Sequence, residues 1–177
     1  MKRKFTISVF SENKTGLLNR VTIIFTRRKI NIDSLTVSPS EIPGIYRYTI
    51  MINTTRDMAK KIVTQLEKQV EVVKAFFHED YEIIQQEVAL FKISTAALTK
   101  GLKMGDLISE IHAQVLTIEP EYIVIEKVGH PQDTQQLYEK LKPYGVLEFA
   151  RSGSVAITQS IKKLEEFIRE KEKQHLF

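Results

Sequence analysis

Polar and apolar residues alternate strictly near the start of the chain. Phe5, Ile7 and Val9 are separated by Thr6 and Ser8, which predicts a strand with one buried face. The period then changes. Beyond Gly16, apolar residues fall at Leu17, Leu18, Val21, Ile24 and Phe25, a helical spacing. Arg27, Arg28 and Lys29 follow, where cations suit a helix C-terminus. A second strand is predicted over Ile30 to Ser38. Its apolar positions step from Ile32 to Leu35, and that odd step predicts a bulge near Asp33-Ser34. Pro39 to Gly44 is rich in turn residues. Tyr46, Tyr48, Ile50 and Ile52 give a third strand, and Asn53-Thr54-Thr55 offers caps for a helix carrying Met58, Ile62 and Leu66. Val70 to Phe77 reads as a fourth strand. The order β-α-β-β-α-β folds as an antiparallel sheet with both helices on one face.

The second half repeats this order more faintly. Val88 to Ile93 is strand-like, and Met104, Leu107, Ile108 and Ile111 form a helical stripe. Val115 to Ile118 and Tyr122 to Glu126 are two strands around Glu119-Pro120. A helix from Asp133 carries Leu137 and Leu141, Pro143 and Gly145 stop it, and Val146 to Ala150 returns as a strand. The predicted class is α+β, with two ferredoxin-like units over residues 1–78 and 79–160. Residues 161–177 form a charged tail with Leu164, Phe167 and Ile168 at amphipathic-helix spacing.

Each half is small, so each buries a modest fraction of its surface. One sheet face also lacks helices. Pairing with a second copy, edge to edge or face to face, relieves both problems, and a homodimer is expected.

Composition narrows the chemistry. The 177 residues contain no cysteine, which excludes disulfides, thiolate metal sites and cysteine nucleophiles. His78, His112, His130 and His175 have no metal-ligand spacing. Ser152 lacks the preceding glycine of a nucleophile elbow, and no phosphate-loop or dinucleotide fingerprint is present. These observations predict neither catalysis nor a bound metal. No apolar stretch approaches a membrane span, and the basic start Met1-Lys2-Arg3-Lys4 leads into a strand rather than an apolar block. A cytoplasmic protein is expected. The net charge of +4 is mild and the cations are scattered, so no nucleic-acid partner is expected. The same strand order serves RNA-recognition modules. Tyr46 and Tyr48 share a face, but the glycine-aromatic run of such modules is missing from the third strand.

The segment Glu12 to Arg20 is the best candidate for ligand chemistry. The first N–H groups of a helix lack internal partners and carry partial positive charge, which suits a carboxylate. Gly16 leaves room for close approach, and Asn13 offers a donor and an acceptor. An apolar remainder of the ligand would pack on Leu17 or Leu18. The plainer reading is that Asn13 and Gly16 serve only as cap and turn. Asn31, beside Ile30 and Ile32, is a second candidate that could face a neighbouring chain, or else an ordinary exposed strand residue.

Asn13-Lys14-Thr15-Gly16-Leu17-Leu18-Asn19-Arg20-Val21, joined to Ile30-Asn31-Ile32-Asp33-Ser34-Leu35-Thr36-Val37, resembles the start of the small regulatory subunits of acetolactate synthase (acetohydroxyacid synthase). The first part alone is shared by many ACT domains; the joined pair is more specific. Glu87 to Ile93 and Glu148 to Gly153 also resemble segments of that family, and the similarity spans about residues 3–157. Ser94 to Gly105 and the Gly129-His130-Pro131 turn depart from it. The resemblance implies an N-terminal ACT domain, a second ferredoxin-like domain and feedback inhibition by valine or another branched-chain amino acid. It implies a large catalytic partner subunit that carries thiamine diphosphate, magnesium and FAD, condenses pyruvate with pyruvate or 2-oxobutyrate, and is activated by this chain. No cofactor is expected here. It further implies that Asn13, Gly16, Leu17 and Leu18 contact the effector from one protomer, and Asn31 and Ile32 from the other. A free-standing ACT-type sensor controlling another enzyme or transcription is the rival reading.

Overall fold

The computed structural model describes residues 1–159 except 100, 102, 104 and 107–109. The chain divides into two compact units. One comprises Met1–Ile84 with the described residues from Ala156 onward, and the other is Gln85–Val155.

In the N-terminal unit, β1 (Arg3–Glu12), α1 (Leu17–Thr26), β2 (Ile32–Pro39), β3 (Ile45–Thr54), α2 (Arg56–Leu66) and β4 (Val72–His78) follow in the predicted order. The sheet runs β2-β3-β1-β4, all neighbours antiparallel. Strand alternation sends Phe5, Ile7 and Val9 to one face. There they meet Ile50 and Ile52 of β3, Leu17, Val21 and Phe25 of α1, and Ile62 and Leu66 of α2. This is the helix-covered core. Tyr48 is buried in it and Tyr46 packs against it, so the two tyrosines face the helices. That placement removes the aromatic pair on which an RNA-stacking reading rested.

The predicted bulge is present, as the β2–β3 register shifts between Ile32 and Ser34. The hydroxyl of Thr55 caps α2 by accepting from Met58 N–H at 3.3 Å. At the far end of α1, Arg28 donates to the Ile24 carbonyl at 3.1 Å, satisfying a terminal acceptor. On the sheet face away from the helices, Thr6, Ser8, Phe10 and Thr49 are also buried. The Arg47 guanidinium lies 5.2 Å from the Phe10 ring, and burial lowers its pKa.

Glu79 closes this unit. Its carboxylate takes Arg56 at 2.6 Å and Arg3 at 3.3 Å, and its N–H donates to Glu82 at 2.8 Å across the 3-10 turn Asp80–Glu82. These bonds hold residues 79–82 to the first sheet. The contact boundary therefore falls after Ile84, a few residues later than composition suggests.

The second sheet has the order β6-β7-β5-β8, formed by β5 (Ile83–Ser94), β6 (Gln114–Ile118), β7 (Tyr122–Gly129) and β8 (Val146–Arg151). A further strand, β9 (Val155–Thr158), pairs with β5 and was not anticipated from sequence. Between β5 and β6 lies the short helix α3 (Ala96–Thr99). In the predicted stripe of that connection, Met104, Leu107 and Ile108 lie outside the described residues, while Ile111 packs on the core. Helix α4 (Pro131–Leu141) buries Leu137 and Leu141 against Phe91, Ile123 and Ile125. It starts two residues before Asp133 because Pro131 fits the first helical turn and Asp133 accepts from His130 N–H at 3.2 Å. The predicted tail helix, 161–177, lies outside the described residues.

Candidate functional site

The loop between β1 and α1 is built around Gly16. This residue is the N-cap of α1 with φ +82°, a left-handed conformation that favours glycine. The space its missing side chain would occupy is open. Asn13 does not cap the helix. Its side chain is exposed, and its backbone N–H donates to the Gly44 carbonyl at 3.3 Å, tying the loop to the β2–β3 turn. Leu17 N–H is spent on the Lys14 carbonyl at 3.2 Å. No side chain caps this end of α1, and the N–H groups of Leu18 and Asn19 have no partner among the described residues. Two free donors therefore sit at the positive end of a helix dipole, beside an open space.

The two neighbouring leucines separate sharply. Leu17 is fully buried in the core, so its side chain cannot reach a ligand from this position. Leu18 is 46% exposed and lies on the open side. Of the two, only Leu18 offers an apolar contact at the loop.

Ion pairs stiffen this segment. Lys14 Nζ lies 2.8 Å from Glu12, and Arg20 lies 2.8 Å from Glu71. The hydrogen bond and charge of Glu12 raise the Lys14 pKa. A backbone hydrogen bond, and then Arg20, hold the Glu71 carboxyl below its ordinary range. Glu12 N–H also donates to the Glu71 carbonyl at 2.9 Å, joining the end of β1 to the start of β4.

Asn31 and Ile32 lie elsewhere. Asn31 is exposed just before β2, and Ile32 is half-buried against the core. In the sheet, Ile32 pairs with Ile52, which pairs with Phe5. The Gly16 loop instead follows Glu12, which pairs with Ile45 at the other end of β3. From Phe5 to Glu12 the sheet extends roughly 24 Å, at about 3.4 Å per residue. The structure thus brings Asn13, Gly16 and Leu18 together, and sets Asn31 and Ile32 at the opposite end of the same sheet.

In the second unit, the two segments singled out in the sequence meet. Glu87 is buried and accepts from the Thr134 hydroxyl and from Arg151 Nε at 3.2 Å. Val88 N–H donates to Ser152 Oγ at 3.0 Å, and Ser152 N–H donates to the Val88 carbonyl at 2.9 Å. Phe149 stacks between Phe91 and Tyr138 at centroid distances of 4.9 and 4.7 Å. Sequence reasoning left this cluster out because its members are far apart in the chain. The available signal was a charged residue, Glu87, in phase with Ala89, Phe91 and Ile93 on the inward face of β5, which also carries Gln85.

Two family models match the chain. One describes an AHAS small subunit-like ACT domain and covers residues 7–74; the other describes the small subunit of acetolactate synthase and covers residues 86–160. The acetolactate synthase small subunit of Bacillus subtilis is 34% identical over 160 residues, covering 90% of this chain and 91% of that protein. That of Mycolicibacterium smegmatis is 34% identical over 154 residues, covering 87% and 90%. Among solved structures, the acetolactate synthase small subunit of Thermotoga maritima superposes with a TM-score of 0.81 at 28% identity, covering 90% of this chain and 99% of that one. No helix among the described residues is long and apolar enough to cross a membrane.

Proposed function

The chain belongs to the family of acetolactate synthase small subunits, and on that premise we propose that it is a non-catalytic, cytoplasmic regulatory subunit that activates the large catalytic subunit and makes it sensitive to valine. Thiamine diphosphate, magnesium and FAD belong, in this reading, to the partner. The observation that carries the effector site is the separation of Gly16 from Asn31 along one sheet. Residues at opposite ends cannot hold one small molecule together within a chain. A twofold axis that pairs β2 with the β2 of a second copy reverses the strand direction. It then sets Asn31 and Ile32 of one protomer at the end of the partner's sheet that carries Asn13, Gly16 and Leu18.

This assignment gives each residue a task. The N–H groups of Leu18 and Asn19 receive the amino-acid carboxylate. Oxygens near Asn13 and Asn31 hold the ammonium group. Leu18 and Ile32 receive the branched side chain, while Leu17 positions the helix from the core. The edge that would pair carries exposed Val37 on β2, and α1 carries exposed Leu18 and Ile23, apolar surface that a dimer would cover. Feedback then follows from linkage: a ligand that binds the dimer in one arrangement favours that arrangement, and the catalytic subunit responds to it.

Reconstitution tests the reading. Acetolactate formation by the large subunit is expected to rise on addition of this chain and to fall when valine is then added. The chain by itself, supplied with the cofactors, is expected to form none. A chain that binds the large subunit without changing its rate, with or without valine, would contradict the proposal.

A further inference from the structure

We propose that the basic double concavity around Arg28 binds a small phosphate-bearing polyanion. One cavity of about 430 Å³ lies beside the start of β2, lined by Lys2, Arg28, Lys29, Asn53 and Thr55 among others. Arg28 also lines a second concavity, of about 530 Å³, whose far wall is α2 with Lys60 and Lys61. Five cations thus border two adjoining hollows, against two carboxylates, Asp33 and Asp57.

The cations of this unit divide into paired and unpaired. Arg3, Lys14, Arg20, Arg56 and Lys74 of the same unit are each paired with a glutamate. Lys2, Arg28, Lys29, Lys60 and Lys61 have no ion pair among the described residues, and neither do Lys4, Arg27 and Lys68 elsewhere in the unit; what distinguishes the five is that they border two hollows. Unbalanced like charges repel one another, and a bound anion relieves that repulsion. Arg28 is fixed as the divider, since one of its N–H groups is held by the Ile24 carbonyl at 3.1 Å, which leaves the rest of its fork for a ligand. Lys29 stands at φ +53°, the left-handed residue that follows the end of α1.

The lining also selects the ligand class. Lysines, a guanidinium, an amide and hydroxyls surround the first cavity, and no aromatic ring is present on which a base could stack. Recognition is therefore of anionic groups, and a polyanion would be received where the two hollows share Arg28. The lining comes from one protomer, and it has one residue in common with the effector reading. Asn31 borders the first cavity as well. The informative substitutions are accordingly Lys29 and Lys61, whose side chains are exposed and have no assigned role in holding the amino acid.

The test is calorimetric titration of the full chain with inorganic pyrophosphate at constant ionic strength, with valine titrated in parallel. Saturable binding of one pyrophosphate per chain is expected, weakened about tenfold by Lys29→Glu and again by Lys61→Glu, with valine binding unchanged. Lys29→Gln and Lys61→Gln serve where a reversal disturbs the fold seen by circular dichroism, and should weaken binding in the same order. No saturable binding, equal binding of citrate, or indifference to all four substitutions would overturn the proposal. Pyrophosphate binding without valine binding would uphold it while removing the effector site, so the two readings fail separately.

Discussion

Arg20 reaches from α1 to Glu71 at the entrance to β4, nitrogen to oxygen 2.8 Å, and the Glu71 carbonyl accepts from Glu12 at the end of β1. One residue therefore anchors both sides of the Gly16 loop. Because the folded Glu71 carboxyl titrates below its ordinary value, its contribution is fully present above about pH 4.3, the unfolded glutamate value. It is lost as the pH falls through the folded value. Lys14, raised by Glu12, behaves oppositely: its contribution is present below about pH 10.4 and is lost as the pH rises through its folded value. Thermal melts of the protein and of Glu71→Gln should differ by a constant gap near neutrality that closes in acid. A gap of the same size at pH 7 and pH 3 would contradict this.

The conformation of Gly16 makes a second prediction, independent of any ligand. Asparagine tolerates the left-handed region and alanine does not, so Gly16→Ala should cost about 1 kcal/mol and Gly16→Asn clearly less. The added side chain meets open space, so neither change is expected to disturb packing. Denaturant midpoints measure the order.

Much of the fold was legible in the sequence because the core is spelled by period. The alternation of Phe5, Ile7 and Val9, the bulge at Asp33-Ser34 and the Thr55 cap are all local signals, and all appear in the structure. The division between Leu17 and Leu18 was not legible: Leu17 fits a stripe with Val21 and Ile24, Leu18 fits one with Val21 and Phe25, and only the structure shows that the first is buried and the second exposed. What period cannot show is pairing at a distance. The bond between Glu87 and Arg151 links residues on two strands, and β9 earns its place only by lying against β5. The site is legible only in part, for the same reason. Sequence marks Gly16 and Asn31 as candidates, yet only the strand register shows that they lie at opposite ends of one sheet.

The buried carboxylate of Glu87 supplies a third prediction. Arg151→Ala removes a charged hydrogen-bond partner and should destabilise the second unit by about 1.5–3 kcal/mol. Replacing both residues by apolar ones, Glu87→Leu with Arg151→Met, should cost less than the sum of the single changes, since no unpaired charge is left behind. Strict additivity in a double-mutant cycle would show that the pair is not coupled.

Effector selectivity is a fourth. The branched side chain of valine gains roughly 2 kcal/mol over the methyl of alanine on full burial, so alanine should bind about tenfold to a hundredfold more weakly. Leu18→Ala should narrow that preference, and Asn31→Ala should weaken valine by roughly 1–3 kcal/mol. Calorimetry on the small subunit measures both, and equal affinity for alanine and valine would contradict the assignment of Leu18 and Ile32.

The most direct test of the central claim is complementation between two defective chains. Gly16→Asp places a carboxylate where the ligand carboxylate should sit, and Asn31→Ala removes the contribution from the other protomer. Each homodimer, once shown to be folded, should bind valine poorly. In a heterodimer, the intact Gly16 loop of one chain meets the intact Asn31 of the other, and the second site carries both defects. Co-expression at equal amounts should therefore restore about a quarter of the valine sites, at the affinity of the unaltered protein. Valine binding that stays absent in the mixed dimers would place the site within a single chain and contradict the account.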